Sequence, residues 1–372
     1  MHSEEKSLYY MKAALNLAKK GAGKTSPNPM VGALVVKDDT IIGYGWHMKA
    51  GGPHAEIFAL DQAKENAKDA TLYVTLEPCS HQGKTPPCTE AIINAGIKEV
   101  VIAMIDPNTL VSGNGIAQLK EAGIEVRLGI MEEEAKLLND IYIKNITQKK
   151  TFCSLKTAIT LDGKTATSSG SSRWVTGDSS REYVHILRSR HDAVLTGVRT
   201  VLADDCQLNV RLNDPCLPQP VRIILDPELD TPLDAKILDT ETAPTMIITK
   251  TNALNRSKQI PLTRKGAKIY ALPHQEDQID LFDLWDFLYQ MGIMSVMVEA
   301  GSTLNESFLK SGLVDKYYVF VAPKFIGGNE APGIFNGPGI ANMANAFPLQ
   351  IIERMSFGED TLFIAYPKKG GI

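Results

Sequence analysis

Apolar side chains recur at Leu8, Met11, Ala14, Leu15 and Ala18, so residues 7–20 predict an amphipathic helix, which Gly21 and Gly23 stop. The pattern then turns β-rich over 31–36. A turn at Asp38-Asp39 and the run Ile41-Ile42-Gly43-Tyr44-Gly45 complete a predicted hairpin. Gly51-Gly52-Pro53 makes a tight loop, and His54 opens a helix expected to reach about residue 67. Residues 72–76 read as a short apolar strand ending at Glu77-Pro78-Cys79. The Gly and Pro of residues 80–87 mark a loop, and Pro87 suits the first turn of a helix over 88–95. Strand 100–105, helix 116–122 and strand 124–128 follow in βαβ-like alternation, and one partly acidic helix is expected over 131–147.

Gln148-Lys149-Lys150-Thr151 reads as a boundary, beyond which the pattern restarts with a strand at 152–158 and a turn at Thr160-Leu161-Asp162-Gly163. A Ser/Gly run over 167–172 leads to Arg173-Trp174-Val175-Thr176-Gly177. Asp178 is placed to cap a helix reaching about residue 190. Strands are expected at 193–195, 221–225, 246–249 and 295–298 with helices between, and antiparallel strands at 315–322 and around Phe357-Gly358-Glu359-Asp360. A chain of 372 residues is too long for one core, and the division predicted is 1–147 and 148–372.

Composition narrows the partners. The chain is 44% hydrophobic and 22% charged, with a formal net charge of −4, so no basic field draws it to nucleic acid or to an anionic membrane. No apolar run approaches a membrane span, and Met1-His2-Ser3-Glu4-Glu5-Lys6 is too polar for a signal peptide. Five cysteines, an odd number, argue against a disulfide framework and for a reducing cytoplasm.

Chemistry concentrates in Pro53-His54-Ala55-Glu56, Pro78-Cys79 and Pro87-Cys88. One His and two Cys can hold zinc through three ligands and leave a fourth position open for water, as catalytic sites do. Glu56, two residues after the His, can move protons without ligating the metal. A lone His-x-Glu usually means nothing, and two separated Cys are more often buried small apolar residues. Their conjunction, each after a Pro at an element end, favours the metal. A helix start at Cys88 also favours its thiolate. The pattern is close to that of zinc nucleobase deaminases, although eight residues rather than two separate the cysteines. In the second half, residues 296–304 read as a strand, a Gly turn and a helix start whose amides can receive a phosphate, a weak signal by itself.

His54-Ala55-Glu56 with Pro78-Cys79-Ser80-His81-Gln82-Gly83-Lys84-Thr85-Pro86-Pro87-Cys88 closely resembles the bifunctional deaminase/reductase family of riboflavin biosynthesis, long Cys interval included. So do Pro27-Asn28-Pro29-Met30-Val31-Gly32 and Asp106-Pro107-Asn108. Leu161-Asp162-Gly163, Trp174-Val175-Thr176, Val201-Leu202-Ala203-Asp204-Asp205 and Val298-Glu299-Ala300-Gly301 match that family in the same order. Cys206 and Thr109 depart from it, standing where its members usually place Pro.

The resemblance implies an α/β protein, with a cytidine-deaminase-like α/β/α domain followed by a dihydrofolate-reductase-like α/β domain. It implies one Zn2+ and NADPH, and a small phosphorylated pyrimidine as substrate. The 2-amino group of 2,5-diamino-6-(5-phosphoribosylamino)pyrimidin-4-one would be removed hydrolytically, and the ribosyl group then reduced to ribityl, giving 5-amino-6-(5-phosphoribitylamino)uracil. The implied zinc ligands are His54, Cys79 and Cys88, with Glu56 catalytic and Asn28, His47 and Lys84 near the pyrimidine or its sugar phosphate. Implied cofactor contacts are Ala158, Trp174, Thr200, Asp204, Gly301, Ser302, Thr303, Leu304 and Asn305; implied substrate contacts are Ser172, Arg188, Leu208, Arg211 and Glu299. An Arg fork binds two phosphate oxygens at once, which suits Arg188 and Arg211, although Arg188 alone reads equally as an exposed arginine in a helix's last turn. A homo-oligomer is expected.

Other readings compete. A deaminase acting on bases in nucleic acid would want a positive channel and stacking aromatics, against the acidic balance and the 7% aromatic content. A zinc-stabilised binding module would want a fourth protein ligand, for which only His81 is at hand. A monofunctional zinc nucleobase deaminase with a non-catalytic second half is the remaining alternative.

Overall fold

A computed structural model describes residues 3–80, 86–109, 112–254, 257–275 and 278–368; Lys84 and His81 lie outside them. The chain divides into two compact units, Met1–Lys149 and Lys150–Ile372.

The first unit runs α1 (Ser3–Ala18), β1 (Gly32–Lys37), β2 (Thr40–Trp46), α2 (Ala55–Ala63), β3 (Thr71–Leu76), α3 (Cys88–Asn94), β4 (Glu99–Met104), α4 (Asn114–Glu121), β5 (Glu125–Leu128), α5 (Glu132–Leu138) and α6 (Asp140–Gln148). Its sheet has the order β2-β1-β3-β4-β5, antiparallel as far as β3 and parallel from there to β5. The two-residue alternation of a strand sends Ala33, Val35, Leu72, Val74, Val100 and Ile102 into one core with α2, α3 and α4. Leu34, Val36, Tyr73, Val101 and Ala103 enter another with α1 and α5. The result is an α/β/α sandwich. A Cβ on Gly32 would stand 2.1 Å from the Ala14 carbonyl oxygen, and one on Gly43 2.1 Å from that of Ala59, so these two glycines let α1 and α2 lie against the hairpin.

The single helix expected over 131–147 is instead two. Asn139, between α5 and α6, leaves helical geometry (φ −107°, ψ 25°), and its buried side chain accepts from Met30 N (2.8 Å) and donates to Met30 O (3.0 Å). The side chain thus satisfies both backbone polar groups of one distant residue, and the helix gives way around it.

The second unit runs β6 (Phe152–Thr160), α7 (Asp178–Ser189), β7 (Ala193–Gly197), α8 (Val198–Asp204), β8 (Val221–Leu225), β9 (Thr245–Lys250), α9 (Gln259–Arg264), β10 (Lys268–Leu272), β11 (His274–Gln275) and β12 (Gln278–Ile279). It continues with α10 (Leu281–Gln290), β13 (Ser295–Val298), α11 (Ser302–Ser311), β14 (Lys316–Ala322), β15 (Leu349–Phe357) and β16 (Asp360–Pro367). Nine strands form one sheet, β10-β9-β8-β7-β13-β6-β14-β16-β15, parallel from β10 to β14 and closed by the antiparallel β15–β16 hairpin. Leu195, Ile223, Ile248 and Val298 pack on α10 and α11 from one face; Val194, Ile224, Ile247 and Met297 pack on α7, α8 and α9 from the other.

Asp178 does not cap α7. Gly177 is the N-cap, and the acceptor comes from 180 residues downstream: Asp360 Oδ2 receives Gly177 N (2.7 Å) and Ser180 Oγ (2.6 Å). Asp178 pairs with Arg181 instead.

Candidate active sites

In the first unit the site lies past the carboxyl ends of β3 and β4, where ligands of open α/β sheets gather. His54 is the N-cap of α2, Cys79 stands three residues beyond β3, and Cys88 is the first residue of α3. His54 Nδ1 approaches Cys88 Sγ at 3.2 Å and Cys79 Sγ at 3.4 Å, and one donor atom from each residue lies within 4.8 Å of the others. A hydrogen bond from Cys88 holds the Cys79 thiol down, to about 4, and the Cys88 amide adds another at 3.3 Å. The same contact, together with burial, pushes the Cys88 thiol up. One ready thiolate, a second thiol and an imidazole converging on one point are a donor set fit for zinc.

Glu56, in the first turn of α2, is 3% exposed, and among the described residues its Oε2 has no hydrogen-bond partner. Burial pushes its carboxyl above the ordinary range. An unpartnered buried carboxylate oxygen beside the donors is what a proton carrier for a bound ligand requires.

His47 is buried, not a solvated turn residue. Its Nδ1 lies 3.1 Å from the Pro53 carbonyl, which can only accept; Nε2 therefore accepts from Asn28 Nδ2 at 3.1 Å. Both ring nitrogens are engaged, and the chain Asn28–His47–Pro53 steadies the backbone just ahead of His54. Glu77, which no motif marks, also belongs to the site's frame. Its buried carboxylate accepts from the amides of Asp106, Gly113, Gly115 and Ile116 at 3.0–3.3 Å, tying the strand end before Cys79 to the start of α4. Its only signal was an acid placed directly after an apolar strand.

The second unit holds a cleft of about 1390 Å³ beyond the carboxyl ends of β6, β7, β8 and β13. The expected residues Ala158, Ser172, Trp174, Arg188, Thr200, Asp204, Leu208, Arg211, Glu299, Gly301, Ser302, Thr303 and Leu304 all line it. Asn305 does not: it is buried on the next step of α11, and its Nδ2 donates to the Ile334 carbonyl at 3.2 Å. Gly301 is the N-cap of α11 with an ordinary φ of −74°, and a Cβ there would meet only Thr200 Oγ1, at 3.7 Å. The backbone does not demand glycine. Its missing side chain keeps cleft space free in front of a helix N-terminus, a cradle that fits a dinucleotide phosphate.

Arg188 is not an exposed arginine. Its Nε and Nη2 reach the two oxygens of Glu299 at 2.6 and 3.1 Å, and Lys156 Nζ completes the cluster at 2.8 Å. Burial alone would raise Glu299, but the two cations hold it well below the ordinary carboxylate range. Arg211 is half-buried, and among the described residues no carboxylate pairs with it. Lys156 and His185 were missed. A lysine inside the apolar strand β6 was a signal for the first; for the second, only its place one helical turn before Arg188 was.

A deaminase-type zinc centre in one unit and a dinucleotide-type cleft in the other define a two-domain deaminase–reductase. The comparisons agree with this class. Residues 4–104 match the family model "Cytidine and deoxycytidylate deaminase zinc-binding region" and residues 151–363 match "RibD C-terminal domain". The riboflavin biosynthesis protein RibD of Aquifex aeolicus (strain VF5) is 54% identical over 318 residues, covering 86% of this chain and 87% of the relative. The protein of the same description from Escherichia coli (strain K12) is 40% identical over 363 residues, with 95% and 97% covered. Among solved structures, Acinetobacter baumannii RibD (form 1) superposes with a TM-score of 0.85 at 42% identity, covering 99% of this chain and all of that one. The Thermotoga maritima diaminohydroxyphosphoribosylaminopyrimidine deaminase/5-amino-6-(5-phosphoribosylamino)uracil reductase superposes with 0.86 at 37%, at the same coverage. The chain belongs to the RibD family of riboflavin biosynthesis proteins.

Proposed function

We infer that the protein is a bifunctional enzyme of riboflavin biosynthesis, a zinc-dependent deaminase and an NADPH-dependent reductase in one chain. The substrate is the diaminopyrimidine ribosyl phosphate that the Thermotoga maritima relative's name describes. The observation that carries the reading is the convergence of His54, Cys79 and Cys88 beside the unpartnered Oε2 of Glu56, with a separate large cleft in the other unit.

His54, Cys79 and Cys88 would hold the zinc, which supplies Lewis acidity and an activated water when bound. Glu56 takes one proton from the attacking water and gives it to the ring nitrogen. It then takes the remaining hydroxyl proton from the tetrahedral C2 and delivers it to the amine, which leaves as ammonia while the C2 carbonyl forms. Asn28 and His47 brace the His54 loop and border the pyrimidine, and Lys84 is assigned to the phosphate by the resemblance alone. In the second unit Ala158, Trp174, Thr200, Asp204 and residues 301–304 would hold NADPH, the hydride source. Asn305 anchors α11 from behind. Ser172, Leu208, Arg188 and Glu299 border the substrate, and Arg211, which no carboxylate of the described residues pairs with directly, meets its phosphate. Domain bounds close to 1–147 and 148–372 suit this division of labour.

A homo-oligomer is the assembly proposed; the edge strand β15, with Leu349, Ile351 and Ile352 all exposed, is a surface that a second copy would cover. A reducing cytoplasm suits its free cysteines. No helix among the described residues is long and apolar enough to cross a membrane.

The test is incubation with the diaminopyrimidine ribosyl phosphate, with and without NADPH, following ammonia and NADPH absorbance together. Ammonia release in both arms and NADPH oxidation only after deamination are expected. Ammonia without oxidation leaves the monofunctional alternative, and neither removes the reading.

A further inference from the structure

Arg211 lines the reductase cleft with no carboxylate partner among the described residues, and it must still be held in place, because it stands beside another cation. Desolvation, and after it the charge of Arg188, lowers its proton affinity, against a smaller opposite pull from Glu299. The acceptor the structure gives it is the side-chain oxygen of Asn209, at 2.7 Å from Nη1. Asn209 is 6% exposed. Its carbonyl is gripped twice from α7, by Arg188 Nη1 at 3.0 Å and by His185 Nδ1 at 3.1 Å. A carbonyl can only accept, so Nδ1 of His185 carries the hydrogen.

This arrangement has a direction. Glu299 fixes Arg188, Arg188 and His185 fix the backbone of residue 209, and the residue 209 side chain fixes Arg211. Lys156, Arg188 and Arg211 against Glu299 leave the cluster with two positive charges in excess, the complement of a phosphate dianion. An amide is suited to this post. It accepts a hydrogen bond from the guanidinium without cancelling its charge, as a carboxylate would.

We propose that Asn209 is a positioning residue of the reductase, aiming Arg211 at the phosphate of the pyrimidine substrate and coupling that aim to the Arg188–Glu299 pair. The inference rests on the reading that this cleft reduces a phosphorylated pyrimidine; wild-type NADPH oxidation with the deaminated ribosyl phosphate tests that reading first and separately.

Asn209→Ala should raise the reductase KM for the deaminated phosphate substrate about tenfold, with kcat and the KM for NADPH little changed. Use of the dephosphorylated pyrimidine nucleoside should be unaltered. Asn209→Ala in an Arg211→Ala background should cost nothing more, because the residue acts through the arginine. Asn209→Asp keeps the shape and the acceptor, so it answers the question if the alanine variant fails to fold. Its carboxylate should offset Arg211 and raise the same KM. An unchanged KM for NADPH and wild-type thermal melting of the second unit report intact protein in every arm. An unchanged phosphate-substrate KM in folded variants would overturn the proposal. So would equal losses with and without the phosphate, or additive losses with Arg211→Ala.

Discussion

Glu56→Gln replaces one carboxylate oxygen by an amide nitrogen and leaves the three metal donors untouched. The variant should keep one zinc per chain by elemental analysis while ammonia release falls by on the order of 10² or more. Zinc lost with the substitution would make Glu56 a ligand, and activity kept would end its role in proton transfer. A second residue-scale expectation concerns acid. His185 is lowered from 6.5 to about 4, chiefly by burial, and Glu299 is held below the ordinary carboxylate range despite its burial by Arg188 and Lys156. In both cases the unfolded chain binds the proton more readily, so stability must rise with pH across the interval between the two values. Thermal melting of the second unit should therefore drop as pH falls below about 6.5, through His185, and again below about 4, through Glu299. The Glu299→Gln variant should lose the lower step; a wild-type melting temperature flat from pH 7 to 4 would contradict the His185 step, and one flat below pH 4 the Glu299 step. The proposed zinc donors were legible because each follows a Pro at a local punctuation mark, ahead of a helix or after a strand. Asn209 was not, since nothing near it in sequence marks an amide that must face an arginine.

Elements were easiest to read where their ends are made locally. The β1–β2 hairpin follows from Asp38-Asp39, and α3 starts where Pro87 says it should. The misreadings fall where an end is made from afar: Asn139 interrupts a helix to serve Met30, and α7 is capped by Asp360, not by Asp178. Local composition carries no trace of a partner more than a hundred residues away. Asp360→Ala should leave Gly177 N and the buried Ser180 Oγ without their acceptor, costing about 1–3 kcal/mol. Because α7 carries His185 and Arg188, reductase turnover should fall with it while ammonia release is kept. A melting temperature of the second unit equal to wild type would show that water replaces Asp360 at no cost.

Each unit of the molecule buries its own core and holds its own site, with donors for zinc drawn wholly from Met1–Lys149. A fragment of residues 1–149 is therefore expected to fold, take up one zinc and release ammonia from the diaminopyrimidine. One of residues 150–372 should oxidise NADPH with the deaminated product. A first fragment that binds zinc and melts cooperatively without turnover would mean that its site is completed from outside it.

The cap supplied by Asp360 also has a meaning in time. A ribosome delivers the chain from Met1 onward at roughly 5–20 residues per second. The metal site is complete once residue 149 has cleared the exit tunnel. The reductase helix α7, made near the start of its unit, waits for an aspartate that lies 183 residues after its N-cap Gly177. A nascent chain stalled just short of residue 360 would thus carry a finished deaminase joined to a reductase still missing its keystone, and protease sensitivity confined to the second half of such stalled chains is the signature to look for.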